Sequence, residues 1–254
     1  MTSLIVQAVS HHMILPYALA VIAVASPLLA QTVIEKDTIQ TAAGALEITF
    51  VGHGSLMMSW NGKTIHVDPY SKLADYSQLP KADLVLITHH HSDHLDTKAL
   101  DAVCIDKTVI LLTKICAEQL GKGVVMMNGD ARTVLGIKIE AVPAYNLEHK
   151  RPDGNPFHPK GEGNGYLLTF GTTRVYVAGD TESTPEMKAL KGIDVAFLPM
   201  NLPYTMTPEQ VADAGKAFRP KVLYPYHYGE TDPRALAGFL KGEKGIEVRI
   251  RRMR

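Results

Sequence analysis

From Leu46 onward the chain divides into short apolar runs separated by turn-forming residues. LEITFVG (46–52), SLMMSW (55–60) and TIHVD (64–68) have the length and branched or aromatic content of strands. Asn61-Gly62, between the last two, tolerates positive φ at both positions and predicts a tight hairpin. The chain therefore opens as an antiparallel meander. DLVLIT (83–88) follows, and its unbroken apolar centre predicts a strand buried on both faces.

The pattern then alternates strands with helices. DTKALDAV (96–103) is helical, with Asp96 or Thr97 as its cap, and TVILLT (108–113) is a strand. KICAEQLGKG (114–123) is a short helix stopped by Gly121, and VVMMN (124–128) and VLGIKIEAV (134–142) are strands. GYLLTFG and TRVYVAGD form a second hairpin around Gly171. STPEMKALKG (183–192) has a Thr cap, Pro185 at the first helical position and a stop at Gly192. VAFLPM (195–200) is a strand. TPEQVADAGKAF (207–218) carries a capping box, with Thr207 as cap and Gln210 three residues on. KVLYPYHYG, a helix capped by Asp232, and a last strand, IEVRI, complete the order. No repeat or linker is visible. Two mixed sheets packed face to face, with helices on the outer surfaces, would bury all these runs. The expected fold is α/β (α+β), a four-layer αββα sandwich, as one domain over residues 31–254.

The first thirty residues differ. Met13–Ala30 carries no charge and is interrupted by proline, which suits the apolar region of a secretory signal better than a membrane span. Cleavage after Ala30 would give a periplasmic or secreted protein; the alternative is a membrane anchor left uncleaved. Met13 is an alternative start. With 26 basic and 26 acidic residues the chain has no net charge, so nothing attracts it generally to nucleic acid or an anionic membrane. The expected partner is a small-molecule substrate. The C-terminal RIRRMR is read as a solvated strand end. Cys104 and Cys116 lie in apolar surroundings as small buried hydrophobes, and the sequence does not decide whether they pair.

Chemistry concentrates in THHHSDHLD (88–96), directly after the buried strand. In extended chain, residues i and i+2 share a side, so His89 and His91 face one way and His90 the other. Asp93 and His94 follow where the chain turns toward the helix, within reach of a second position. The expected ligands are thus His89, His91, Asp93 and His94, with imidazole and carboxylate suiting zinc, and manganese or iron as alternatives.

The H-x-H-x-D-H spacing resembles the signature of the metallo-β-lactamase superfamily. VGHGS and IHVDPY are similar to the N-terminal signature of the branch that includes ascorbate-lactone hydrolases and N-acylphosphatidylethanolamine phospholipases D. VAGDTE resembles the segment with the bridging aspartate, here Asp180, and YPYHYG the segment with the last histidine, here His227. The resemblance implies Asp68 beside the site, orienting a histidine, and two divalent cations. His53, between two glycines, is expected to line the pocket.

One departure stands out. The superfamily has a histidine where this chain has Asn146. His149 and His158 follow, and His158 is the expected replacement, with Asn146 hydrogen-bonded in the same site and His149 at the surface. The loop between Asn146 and Lys160 is polar and rich in Gly and Pro, as a substrate wall would be. Lys160 is expected to meet an anionic group of the substrate, and Tyr204 to enter the pocket. Two cations can hold a hydroxide between them that attacks a carbonyl carbon or phosphorus. Asp93 and Asp180 are then the catalytic carboxylates as well as ligands. The expected activity is hydrolysis of an ester, lactone, amide or phosphodiester; the alternatives are a dedicated phosphodiesterase and a non-catalytic metal-binding or sensor protein.

Overall fold

The computed structural model describes Met1 and residues 34–254, and the expected signal segment lies outside the described residues. Ile34–Arg254 form one compact unit. Its first sheet runs β1 (Glu35–Thr41), β2 (Gly44–Gly52), β3 (Ser55–Trp60), β4 (Lys63–Val67), β5 (Leu84–Leu86), β6 (Val109–Leu112) and β7 (Val124–Val125), in that spatial order. The second runs β8 (Ala131–Val134), β9 (Ile137–Ala144), β10 (Gly163–Phe170), β11 (Thr173–Val177), β12 (Val195–Pro199), β13 (Val222–Tyr226) and β14 (Glu247–Val248). In each sheet the first four strands are antiparallel and the rest parallel. The halves thus repeat in topology although no repeat is visible in the sequence.

Alternation along the strands explains the layers. Leu84 and Leu86 of β5 face the core between the sheets, with Leu46, Ile48, Tyr166, Leu168 and Phe197. Val85 and its neighbour Ile87 face outward onto α1 (Thr97–Val103) and α2 (Lys114–Leu120), beside Leu100 and Cys116. α3 (Pro185–Lys188), α4 (Pro208–Phe218) and α5 (Ala235–Phe239) bring Met187, Val211, Phe218 and Leu236 to the other sheet. The expected caps are present at Asp96, Thr184 and Thr207, the last with its full capping box, and Thr113 caps α2 in addition. Asn61 and Gly62 take φ of 47° and 70°, as the hairpin requires.

Four expectations need correction. VLGIKIEAV is not one strand: Leu135 and Gly136, both at positive φ, fold it into the β8–β9 hairpin. Asp232 does not cap α5, whose first residue follows Arg234, without a side-chain cap. β1 precedes the first apolar run and alternates half-buried with exposed residues, so it carries little apolar signal. The basic C-terminus is paired rather than solvated. Arg251 reaches both carboxylate oxygens of Asp37 on β1 at 2.7 and 2.8 Å, and Tyr224 of β13 donates to the same carboxylate. Burial alone would raise the Asp37 carboxyl, but Tyr224 and Arg251 outweigh it and hold it below the usual range. Cys104 and Cys116 are both unbridged.

His66 of β4 is fully buried against Tyr76, with one ring nitrogen 3.0 Å from the carbonyl of Pro80. Burial pushes its imidazole down to about 4. The unfolded chain, with an ordinary histidine near 6.5, therefore binds the extra proton first, and stability falls as pH drops from 6.5 toward 4. The full loss from this one ring is ~3 kcal/mol. Denaturant midpoints of wild type and His66→Gln, compared at pH 4.5 and 7.5, should show a smaller pH dependence in the variant. Equal dependence would mean that the native ring accepts the proton.

Candidate metal centre

The site lies where the strands of both sheets end. Asp68 follows β4, the histidine run follows β5, Asn146 follows β9, Asp180 follows β11, Asn201 follows β12 and His227 follows β13. Sharp turns at these ends aim the side chains inward: His53, Asp68 and His227 take φ of 51°, 44° and 44°. Gly179, at φ 67°, turns the chain before Asp180, and a Cβ there would sit 2.9 Å from the Asn164 carbonyl and 3.0 Å from Thr88.

Three overlapping groups of side chains could each hold a cation, one of them His89, His94 and Asp180. His89, His91 and His158 bring their nitrogens together, and so do Asp93, His94 and His227, with His53 at their edge. Asp180 lies between them. Its Oδ2 is 3.3 Å from His158 Nε2, 3.5 Å from His227 Nε2 and 4.0 Å from His89 Nε2, and its Oδ1 is 3.6 Å from His94 Nε2. Asp93 Oδ2 is 3.6 Å from His227 Nε2 and 3.7 Å from His94 Nε2.

The outer nitrogens explain why the inner ones converge. His94 Nδ1 lies 2.8 Å from Asp68 Oδ2, and Asp68 also accepts from the Thr88 amide and hydroxyl. With that hydroxyl proton committed to Asp68, Thr88 Oγ1 can accept from His89 Nδ1, 3.0 Å away. His158 Nδ1 lies 2.8 Å from Asn146 Oδ1, and His227 Nδ1 3.2 Å from the Asn201 amide. Where the outer partner is an acceptor oxygen, as for His89, His94 and His158, Nδ1 carries the proton and Nε2 is left unprotonated, whereas the Asn201 Nδ2 beside His227 is a donor and holds that ring by its Nδ1 lone pair.

The donor set fits a cation. His89 Nε2, His158 Nε2 and Asp180 Oδ1 are buried without a hydrogen-bond partner. His94 Nε2 and His227 Nε2 are 3.2 Å apart, close enough to share a proton or to face one cation. Burial and His94 push His89 well below its usual range, and burial with His158 pushes His91 down to about 4, so both stay neutral and able to coordinate. Burial also opposes charge on His94, yet Asp180, Asp68 and Asp93 together push it up to about 9. Asp180 is held well below the carboxylate range: burial opposes this, but His227, His94 and His158 prevail. The carboxylates thus call for positive charge at His94 Nε2.

A cleft of about 490 Å³ opens onto this cluster, lined by His53, Asp93, Asp180, His227 and Tyr204 among others. His53 Nε2 is 2.9 Å from Asp93 Oδ2, and its ring lies against that of His227 at 3.7 Å. Lys160 is a correction. Its ammonium is 2.9 Å from Glu186 and 3.2 Å from the Tyr145 hydroxyl, outside the cleft, because an exposed lysine takes the nearest carboxylate. His149 is also corrected from surface to half-buried, its Nδ1 2.7 Å from Glu182 Oε1 but poorly aligned for a hydrogen bond.

Sequence reasoning missed three supports. Thr88 and Asn201 hold ligand-type histidines, as above. Glu182, fully buried, accepts from Asn146 Nδ2 and from three successive backbone amides, Leu147, Glu148 and His149. Burial would raise its carboxyl, but these bonds hold it lowered. Its one available signal was position, two residues after Asp180. Gly54 is a fourth: a Cβ there would meet His94 Cε1 at 2.8 Å and His227 Cδ2 at 3.3 Å. Gly54→Ala should weaken metal affinity about tenfold or more by displacing those rings, with the unfolding midpoint nearly unchanged. Metal titration followed by elemental analysis checks this; unchanged affinity would free Gly54 of the role.

Imidazoles and a shared carboxylate gathered at the open end of a two-sheet sandwich define a metal-dependent hydrolase of the metallo-β-lactamase fold. The chain belongs to the β-lactamase superfamily, whose domain model matches residues 47–227. A protein from Pelotomaculum thermopropionicum named a metal-dependent hydrolase is 30% identical over 224 residues, covering 81% of this chain and 96% of its own. The crystal structure of a protein from Parabacteroides distasonis is 52% identical, with a TM-score of 0.83, covering 87% of this chain and all (100%) of its own. A metallo hydrolase from Ignicoccus hospitalis is 25% identical, with a TM-score of 0.68, over 81% of this chain and 94% of its own. The protein is therefore a metal-dependent hydrolase of this superfamily.

Proposed function

We propose that the chain hydrolyses an ester, lactone, amide or phosphodiester bond with two divalent cations. His89, His91 and His158 would hold one, Asp93, His94 and His227 the other, with Asp180 shared between them. The carrying observation is the convergence of buried, unpartnered His89 Nε2, His158 Nε2 and Asp180 Oδ1, with His158 and Asp180 lining an open cleft. Neutral imidazoles with carboxylates favour zinc. When bound, divalent cations supply Lewis acidity, lowering the pKa of water and stabilising negative charge on oxygen.

The chain's own residues do the rest. Asp68, Thr88, Asn146 and Asn201 hold the outer imidazole nitrogens, so the rings are already oriented before substrate arrives. His53 steadies Asp93 from the cleft side. A non-catalytic binding protein needs no access to its metals, and the cleft speaks against that alternative. A dedicated phosphodiesterase loses its first support, since Lys160 is engaged by Glu186.

The test is metal per chain by elemental analysis, followed by a panel of p-nitrophenyl esters, lactones and phosphodiesters with and without chelator. About two ions per chain and turnover that chelator abolishes and zinc restores would support the reading. Metal bound tightly with no turnover across the panel would overturn it.

A further inference from the structure

We infer that Arg151, seated on the ring of Phe157, is the specificity-determining residue of the cleft and selects substrates carrying an anionic group, a carboxylate or a phosphate. This rests on the cleft being the substrate site, as proposed above. Among the described residues that line it, Arg151 is the one Lys or Arg.

The side chain is mounted with most of its donors free. Its guanidinium carbon lies 5.3 Å from the centroid of the Phe157 ring, and Nη2 donates to the Phe157 carbonyl at 3.2 Å. Stacking on an aromatic face orients the planar fork without consuming its edge donors. Arg151 forms no ion pair among the described residues, although Asp153 feels its charge. A guanidinium has five N–H donors, and one is used here. The remaining donors suit the two parallel bonds that a carboxylate or phosphate accepts.

The segment carrying Arg151 is held, not loose. Its amide donates to Asn155 O at 2.7 Å, its carbonyl accepts from Gly154, and Lys150 pairs with Pro156 in an antiparallel bridge. The two ends of this small hairpin are joined by Asn146 and His158, whose backbone and side-chain bonds are 2.7 to 2.9 Å long. Arg151 is thereby tied to the same element that presents His158 to the metal cluster. Phe157 continues to Tyr204, ring edge to ring face, with centroids 5.1 Å apart. Tyr204 and its neighbour Leu202 are exposed large apolar side chains, as is Leu147 across the Asn146–Tyr204 hydrogen bond. The substrate class that fits is an acyl or phosphoryl compound with an anionic group and an apolar portion beside it.

The first measurement is calorimetric binding of glutarate and of inorganic phosphate to the metal-loaded full chain, for wild type, Arg151→Gln and Arg151→Lys. Both anions can also touch the metals, so the difference between variants isolates Arg151. The expected result is about tenfold weaker binding of at least one anion to Arg151→Gln, with the lysine variant between. The anion with the larger loss identifies the group the site takes. Equal affinities in wild type and Arg151→Gln, or no binding of either anion to wild type, would overturn the inference. The same proteins are then assayed with the p-nitrophenyl monoester of glutaric acid and the neutral p-nitrophenyl valerate. Wild type should favour the anionic ester in kcat/KM, and the ratio of anionic to neutral kcat/KM should fall about tenfold in Arg151→Gln. If the binding difference stands and neither ester turns over, the ester reading fails and the assignment of Arg151 survives. A thermal midpoint of Arg151→Gln near wild type shows that the variant keeps its fold.

Discussion

Asp180→Ala should lose bound metal and cut hydrolysis to less than about one hundredth of wild type. Removing a residue that only supports a metal ligand typically costs 10- to 100-fold, and Asp180 touches more of the cluster than any support does. Its carboxylate oxygens lie within 4.0 Å of His89, His94, His158 and His227. Asp180→Asn separates shape from charge. The amide matches the carboxylate in size but brings one neutral oxygen, so two cations would repel each other without the negative charge between them. The expected order of metal content, by elemental analysis after dialysis, is wild type, then Asp180→Asn, then Asp180→Ala. The fold should persist, because the sandwich core surrounds β11 independently of the site. Full metal content in both variants would remove Asp180 from the centre.

His158→Ala should leave about one ion per chain and reduce turnover comparably, because the second group, Asp93, His94 and His227, does not include it. Asn146→Ala is the more informative partner. Asn146 accepts from His158 Nδ1 and from the His158 amide, and donates to Glu182 and the Tyr204 carbonyl. Its loss should weaken metal binding 10- to 100-fold rather than abolish it, with excess zinc restoring activity. Glu182→Gln should act in the same direction, since a neutral amide cannot accept from three backbone amides as a carboxylate does. Loss of metal in Asn146→Ala that excess zinc does not reverse would make Asn146 a ligand itself.

The histidine run, its place after a buried strand and the sandwich itself were legible in the chain. Period-two alternation shows which face of a strand is apolar, and H-x-H-x-D-H fixes the side on which His89 and His91 stand. Caps at Asp96, Thr184 and Thr207 were equally readable, because capping is a contact between residues two or three apart. β1 was not readable, since its stability comes from pairing with β2 rather than from apolar side chains of its own. The β8–β9 turn was hidden because Leu135 adopts a positive φ that its side chain does not advertise.

Local pattern thus decided most of the elements and the first four metal-binding candidates, since each depends on neighbours in sequence. The fold decided what depends on distant ones. That Lys160 turns to Glu186, that Arg151 rests on Phe157 at the cleft, and that Glu182 anchors Asn146 from 36 residues away are contacts across loops. The exchange of Asn146 and His158 shows the reason most directly. A metal requires a nitrogen at a point in space, and any segment whose backbone can be pinned beside that point can provide it. Sequence order records which residues are available, and only the bonds that pin the loop to Glu182 and Asn146 to His158 determine which of them arrives.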